Sequence, residues 1–339
     1  MNDDMSIRIP KQEIVQAGNA LGIKPNRIAM YFGLHEGKGN VQPDEAWKSI
    51  LPVILQPLNF SGVKALFEDD SLLFTNILSN DNDAVFCGVE EGDLLVLPME
   101  SDAIMELLAS YLGEVEPTPR VRQELSLDAL IAMLAIVDCV RRVKLKNVLD
   151  PSETSFDLDL VSISEGFKIA VASKDLRWLA PFMDDLRWEA KEADFNNALN
   201  ELSKLGIVQY KNKKIEIDER GRVLFDEFLN RKTVLGIRSV FYHEGALNYL
   251  SLALVRTQNY LWYLDGTEKS CVMTMNYEEL KGMIATMIAP GEVPEEINVT
   301  PVNKVEDRTE ISGPRFCRKC GEKLSEGAKF CKSCGAKMG

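Results

Sequence analysis

Leu72-Leu-Phe-Thr-Asn-Ile-Leu-Ser79, Ala84-Val-Phe-Cys-Gly-Val89 and Leu94-Leu-Val-Leu-Pro-Met99 are three short apolar runs. They are separated by Asn80-Asp-Asn-Asp83 and Glu90-Glu-Gly-Asp93, clusters whose side chains favour turns over regular structure. Three strands in a meander are the expected result. Ser101-Asp102 then supplies a helix start, and Ile104, Leu107, Leu108 and Tyr111 fall on one helical face. The unit reads βββα.

Residues 248–288 echo residues 72–112. At a constant offset of 176, Ala84–Val89 falls on Tyr260–Asp265, Leu94–Met99 on Ser270–Met275, and the helix 101–112 on 277–288. Identity is confined to Leu78, Val96, Met99 and Ala109 of the first copy. Internal duplication and coincidence of a common motif both account for the match; duplication would place two units in one sheet about a pseudo-twofold.

Around these units the pattern is helical. Residues up to about Phe67 read as short helices, with Ile9, Ile14, Val15 and Leu21 in the first and Pro43-Asp-Glu-Ala-Trp47 opening a second that runs to Leu55. Leu125–Leu149 is the strongest helix, with Leu130, Met133, Leu134, Val137 and Val140 on one face and Asp150-Pro151 as its stop. Asp128 and Asp138 interrupt its apolar run, so it reads as a core helix and not as a membrane span. Asp175–Arg187 repeats the helical spacing through Leu176, Leu179, Phe182, Met183 and Leu186.

Asp194 next caps a helix carrying Phe195, Leu199, Leu202 and Leu205 and ended by Gly206. Ile207–Tyr210 and Ile215–Asp218 form a hairpin across Lys211-Asn-Lys-Lys214, and a further helix carries Val223, Leu224, Phe225, Phe228 and Leu229. Helix, hairpin, helix over some 40 residues resembles the second half of a winged helix in MarR- and PadR-type regulators. The resemblance implies a recognition surface of Asn196, Asn197, Asn200 and Lys204 on the helix, Lys211, Lys213 and Lys214 on the wing, and Arg220 and Arg222 beside it. These residue types contact DNA bases and phosphates, and they serve equally at a protein contact.

The C-terminus has Cys317-Arg-Lys-Cys320-Gly, ten residues, then Cys331-Lys-Ser-Cys334-Gly. Each Cys-x-x-Cys turn brings two sulfurs to one ion, and two such turns make a closed tetrahedral site for one structural Zn²⁺. Lys and Arg beside the thiolates offset their charge, and in a segment this small the metal supplies most of the folding free energy. With Phe316 and Phe330 ahead of the two pairs, the segment closely resembles the short zinc ribbons that end many bacterial and archaeal proteins.

The chain of 339 residues has a formal net charge of −13 and is 45% apolar. Such a charge disfavours wholesale binding to nucleic acid or anionic membrane. From Arg315 onward, seven Lys or Arg stand against two Glu, so the remainder carries more than the whole deficit. Cys87, Cys139 and Cys271 lie singly among apolar residues, the setting of reduced buried thiols, which with the absence of a signal-peptide pattern points to the cytoplasm. The two histidines, His35 and His243, each begin His-Glu-Gly but lack the second His that a metalloprotease helix needs. No phosphate loop and no nucleophile elbow are present, so no catalytic role is expected.

The expected fold class is α+β. Residues 1–118 hold the N-terminal helices and first βββα unit, 119–235 the helical region with the winged-helix-like element, 236–289 the second βββα unit, 290–314 a Pro-, Glu- and Asn-rich linker, and 315–339 the zinc ribbon. A βββα pair about a pseudo-twofold with helical insertions also resembles, at the level of fold, the substrate chaperones of type VII secretion systems. The expected role is a cytoplasmic, non-catalytic zinc-binding adaptor or chaperone acting on a protein partner. A transcriptional regulator using the winged-helix-like residues on DNA is the competing reading.

Overall fold

The computed structural model describes residues 6–35, 37–80, 83–90, 92–115, 120–149, 158–188, 191–243, 246–266, 269–289 and 300–301. The chain separates into two compact units, Met1–Pro301 and Val302–Gly339. The whole second unit, with the zinc-ribbon cysteines, lies outside the described residues, as does nearly all of the 290–314 linker.

The first unit is mixed α+β and is organised by one antiparallel sheet. Its first half contains β1 (Ile7–Pro10), α1 (Lys11–Ala20), α2 (Arg27–Tyr31), α3 (Glu45–Leu55), the meander β2 (Asn59–Phe67), β3 (Leu72–Ser79), β4 (Asp83–Glu90) and β5 (Asp93–Glu100), and α4 (Ser101–Leu112). The second half contains β6 (Arg122–Ser126), α5 (Leu127–Leu149), α6 (Leu160–Ala172), α7 (Leu179–Asp185), α8 (Phe195–Lys204), β7 (Val208–Lys211), β8 (Lys214–Ile217) and α9 (Glu219–Leu229). The meander β9 (Thr233–His243), β10 (Ala246–Arg256), β11 (Leu261–Asp265) and β12 (Lys269–Met275) and the helix α10 (Tyr277–Ile288) complete it.

The strand order is β1-β5-β4-β3-β2-β9-β10-β11-β12-β6, and the short strand Thr300–Pro301 pairs with β10. Each half therefore runs the same way: an outer strand, a helical insertion, a four-stranded meander, then a helix. Helices α4 and α10 lie 176 residues apart at both their first and last residues.

Strand alternation sorts the side chains into layers. On one face α4 and α10 pack on Val63, Ala65, Ile77, Leu235, Ile237 and Leu252. On the other face α1 and α3 cover Leu78, Val85, Cys87, Leu94 and Val96 in the first half, while α5, α7, α8 and α9 cover Val234, Ala253, Val255, Trp262 and Val272 in the second.

Several elements depart from the sequence expectations. Residues 7–10 are a strand and 59–67 a second, where short helices were expected; residues 122–126 and 233–243 are also strands. Residue 235, the expected end of the helical region, lies inside β9. Residues 160–172 form a helix with no counterpart in the reading, and the helix expected over 175–187 begins at Leu179, because Asp175 folds back on Arg177 in a turn. Ser101 is the first residue of α4, and no side chain caps that helix. Cys87 and Cys139 are buried, and burial pushes their thiols up to about 12 and about 11. Among the described residues no helix is long and apolar enough to cross a membrane.

The two halves meet along β2 and β9, paired antiparallel from Asn59↔Phe241 to Phe67↔Thr233. The carbonyls ending α10 are fastened to this seam. Met287 O accepts from the Ser61 and Ser239 hydroxyls at 2.7 Å each, and Ile288 O accepts from Asn59 Nδ2 at 2.8 Å and from the Ser79 hydroxyl. All four side chains are buried. They supply the donors that the last carbonyls of a helix otherwise lack. Asn59→Ala should cost about 1–3 kcal/mol of unfolding free energy, the usual penalty for stranding buried polar groups; denaturant titration showing no loss would refute this role.

Helix α5 runs through the middle of the second half, and its Asp138 is 4% exposed. The carboxylate accepts from the N–H groups of Leu179 (3.0 Å) and Ala180 (2.8 Å) and so fixes the start of α7. Burial raises Asp138 to about 6, against those two bonds and the nearby charges of Arg231 and Arg142. Since the ordinary value is 3.8, the native state holds this proton more tightly than the unfolded chain. Its contribution to stability is complete below the unfolded value and is lost as pH rises through the folded one. Urea unfolding should therefore show the stability advantage of wild type over Asp138→Asn shrinking from about pH 4 to about pH 7; an advantage that grows over that range would contradict the assignment.

Candidate functional site

The helix–hairpin–helix read from the sequence is present as α8, β7–β8 and α9, and Asp194 caps α8 by accepting from Asn197 N. Phe195, Ala198, Leu199 and Leu202 face the core, so Asn196, Asn197, Asn200 and Lys204 are exposed together with Lys211, Lys213, Lys214, Arg220 and Arg222. The structure thus brings the nine residues onto one exposed element. Much of their bonding capacity is spent locally. Asn197 Nδ2 donates to Asp194 (2.7 Å), Asn200 Nδ2 to Asn196 O (2.9 Å), and Tyr210 OH to Asn196 Oδ1 (3.0 Å). Arg220 donates to Leu205 O and to Gln123 Oε1.

The wing is also not free along its second strand. Leu160 N donates to Lys213 O, and Ile215 N donates to Leu158 O, so residues 158–160 line its β8 edge. Asn212 and Lys213 have positive φ, and the Lys213 carbonyl of the tight turn they make is fixed by Leu160 N.

A second surface was not visible in the sequence, because it is built on the seam strands that the reading missed. On the face opposite α4 and α10, β2 and β9 present Phe60, Gly62, Lys64, Gly236 and Arg238, with Phe74 alongside on β3. Register pairs Gly62 with Arg238 and Lys64 with both Gly236 and Phe74. Gly62-Val-Lys-Ala-Leu-Phe67 and Gly236-Ile-Arg-Ser-Val-Phe241 match at an offset of 174, and Val63 pairs with Ile237 at their common centre. That hexapeptide match is the signal that would have revealed the seam.

This surface is bordered by Tyr31, at the end of α2, and by Asp185, the last residue of α7, with Trp188 just beyond it. The Tyr31 ring lies 5.7 Å from Phe60 and 6.4 Å from Trp188, and Trp188 lies 4.5 Å from Tyr249. The Arg238 guanidinium stacks 4.5 Å over Trp188 and donates to Asp185 O, while Lys64 sits 5.8 Å over Phe74 and pairs with the Asp185 carboxylate. Burial, with the neighbouring Arg238 charge, pulls the Lys64 ammonium down to about 8. Tyr31 and Phe74 nevertheless stay 54% and 53% exposed. Chemically, the surface offers aromatic faces beside two partly desolvated cations.

The two histidines belong to different halves: His35 is exposed in the loop after α2, and His243 ends β9. Glu36, Glu244 and Gly245 lie outside the described residues, as do Cys317, Cys320, Cys331 and Cys334. Among the described residues no group of three or more His, Cys, Asp or Glu could hold a metal. The four cysteines suit zinc by donor chemistry, since thiolates in two Cys-x-x-Cys pairs fill all four positions of a tetrahedral ion.

Comparison with known proteins agrees on this segment. The zinc-ribbon domain family matches residues 316–338, which span all four cysteines and imply zinc binding there. No curated relative matches the chain by sequence. Among solved structures it is similar to the type VII secretion system chaperone EspG5 of Mycobacterium tuberculosis, determined in complex with a PE25–PPE41 dimer. That match has 10% identity and a TM-score of 0.39, and covers 84% of this chain and 95% of the other. A likeness so distant carries no weight for function.

Proposed function

We propose that the chain is a non-catalytic adaptor or chaperone that binds a protein partner, with the C-terminal zinc ribbon as a second docking module. The observation that carries this reading is the seam surface, where Tyr31 and Phe74 are half exposed beside Lys64, Arg238 and Trp188. Aromatic residues and Arg are the side chains enriched at protein interfaces and dominant in their energetics. Arg238, beside a Lys64 already paired with Asp185, suits an acidic, aromatic- or aliphatic-bearing segment of the partner. The matched hexapeptides and the common strand order support descent of both halves from one ancestral unit, with each copy giving the surface one cation.

Phe74→Ala and Tyr31→Ala test the surface. Phe74→Ala, at an exposed site, should shift stability by no more than about 0.5–1 kcal/mol. Both variants should weaken nuclease-resistant capture of a protein partner at least tenfold relative to wild type. Capture that is unaffected by either variant, or that disappears on nuclease treatment, would sink the reading.

One structural zinc per chain is part of the proposal. Metal analysis of purified full-length protein should find one equivalent of zinc, and Cys320→Ser should remove it while leaving the unfolding transition of the first unit in place. Retention of the metal by Cys320→Ser together with Cys334→Ser would exclude these ligands.

A further inference from the structure

We infer that a small amphipathic carboxylate binds in a cavity beneath α9, at the β11–β12–β6 end of the sheet. The cavity measures about 320 Å³ and is lined by apolar side chains from three directions, among them Leu125, Met133, Leu224, Trp262 and Val272. That volume lies within the range of small-molecule pockets, roughly 300–1,000 Å³. At the roughly 30 Å³ that one water takes up in the liquid, it has room for about ten water-sized groups.

Two further observations specify the chemistry. Trp262 is 3% exposed, and its indole N–H has no acceptor among the described residues. A buried unpaired donor is costly, and a ligand oxygen would relieve it. Arg220, also in the lining, is exposed and held by its bonds to Leu205 O (3.2 Å) and Gln123 Oε1 (3.1 Å). A guanidinium has five N–H donors in a planar fork, so donors remain for a carboxylate. The one acid in the lining, Glu227, accepts from Asn259 and Thr257. Its charge is thus directed to the β10–β11 turn. Val223, 66% exposed in the same lining, marks an opening to solvent.

The ligand is therefore a small apolar tail or ring system ending in a carboxylate, whose oxygens are shared between Arg220 and the Trp262 N–H. This site is separate from the seam surface, and its test does not depend on any protein partner.

Calorimetric titration of the full-length protein with submicellar decanoate, and with decanol as the neutral counterpart, tests it. Decanoate should bind once per chain and raise the melting temperature. Arg220→Gln should weaken decanoate about tenfold while leaving decanol unchanged, as expected for loss of a charge-assisted bond. Trp262→Phe, which keeps the ring and removes the donor, should weaken both ligands. Leu224→Trp, which fills the cavity, should abolish binding. If that variant does not fold, the Arg220→Gln comparison still decides. Decanol binding as tightly as decanoate, binding that survives Leu224→Trp, or no saturation below about 1 mM, which corresponds to only about −4 kcal/mol, would overturn the inference.

Discussion

The ladder between β2 and β9 is the constraint on which the rest of the structure depends. Each half alone would end in an open edge strand, a row of unpaired N–H and C=O groups that invites foreign pairing. Joining the two edges satisfies both at once and turns two small meanders into one long sheet. The buried polar cluster of Asn59, Ser61, Ser79 and Ser239 then draws the end of α10 down onto the join. In this way α10 is tied to both halves. Among the described residues no matching polar cluster fastens the end of α4, so the two halves, alike in order, are locked differently.

What the sequence disclosed follows from where each element sits. β3–β5 and β10–β12 are bounded by Asn, Asp and Gly clusters or by short polar turns, and α4 and α10 show a clean apolar face, so both βββα units were readable. β2 and β9 were not. Lys64 and Arg238 sit among glycines and small residues on one face, and on the other Ser61 and Ser239 are polar yet buried. Neither strand shows apolar–polar alternation, because the polar residues are consumed by α10 and by the seam surface. The outer strands β1 and β6 are four and five residues long and run straight into helices, so their periodicity merges with the helix that follows. The helix–hairpin–helix was legible from Asp194, Gly206 and the Lys-Asn-Lys-Lys turn. Its surface role was not, since local bonds to Asp194, Tyr210 and Leu205 cannot be read from residue type.

The seam surface exists because the two faces of the seam are treated differently. α4 and α10 close one face completely. On the other face the insertions of the two halves cover their own strands and meet over the centre through Tyr31 and Trp188, beside Gly62, Lys64 and Arg238. Gly236 belongs to the same floor, but there the Phe182 ring occupies the space a side chain would need, with Cε1 2.8 Å from the position of an added Cβ. At Gly62 the nearest such atom is 3.8 Å away. Matching sequence positions are therefore filled on the second half's side and left open on the first half's, which sets the surface off-centre towards β2 and β3, where Phe74 is exposed.

The same asymmetry separates the two proposed sites. The first insertion is three helices, and the second adds a hairpin and two flanking helices that have no counterpart in the first. Lys64 and Arg238 occupy matched positions, so the seam surface draws on what the halves share. The cavity under α9 draws on what they do not: Arg220, Val223, Leu224 and Ile207 all come from the added segment, set against Trp262 and Val272 of the common meander. A feature common to both halves is constrained by the seam, because any change there acts on both sides of the join. A feature confined to the added segment is free of that constraint. Ligand specificity could thus diverge under α9 without disturbing the ladder that holds the protein together.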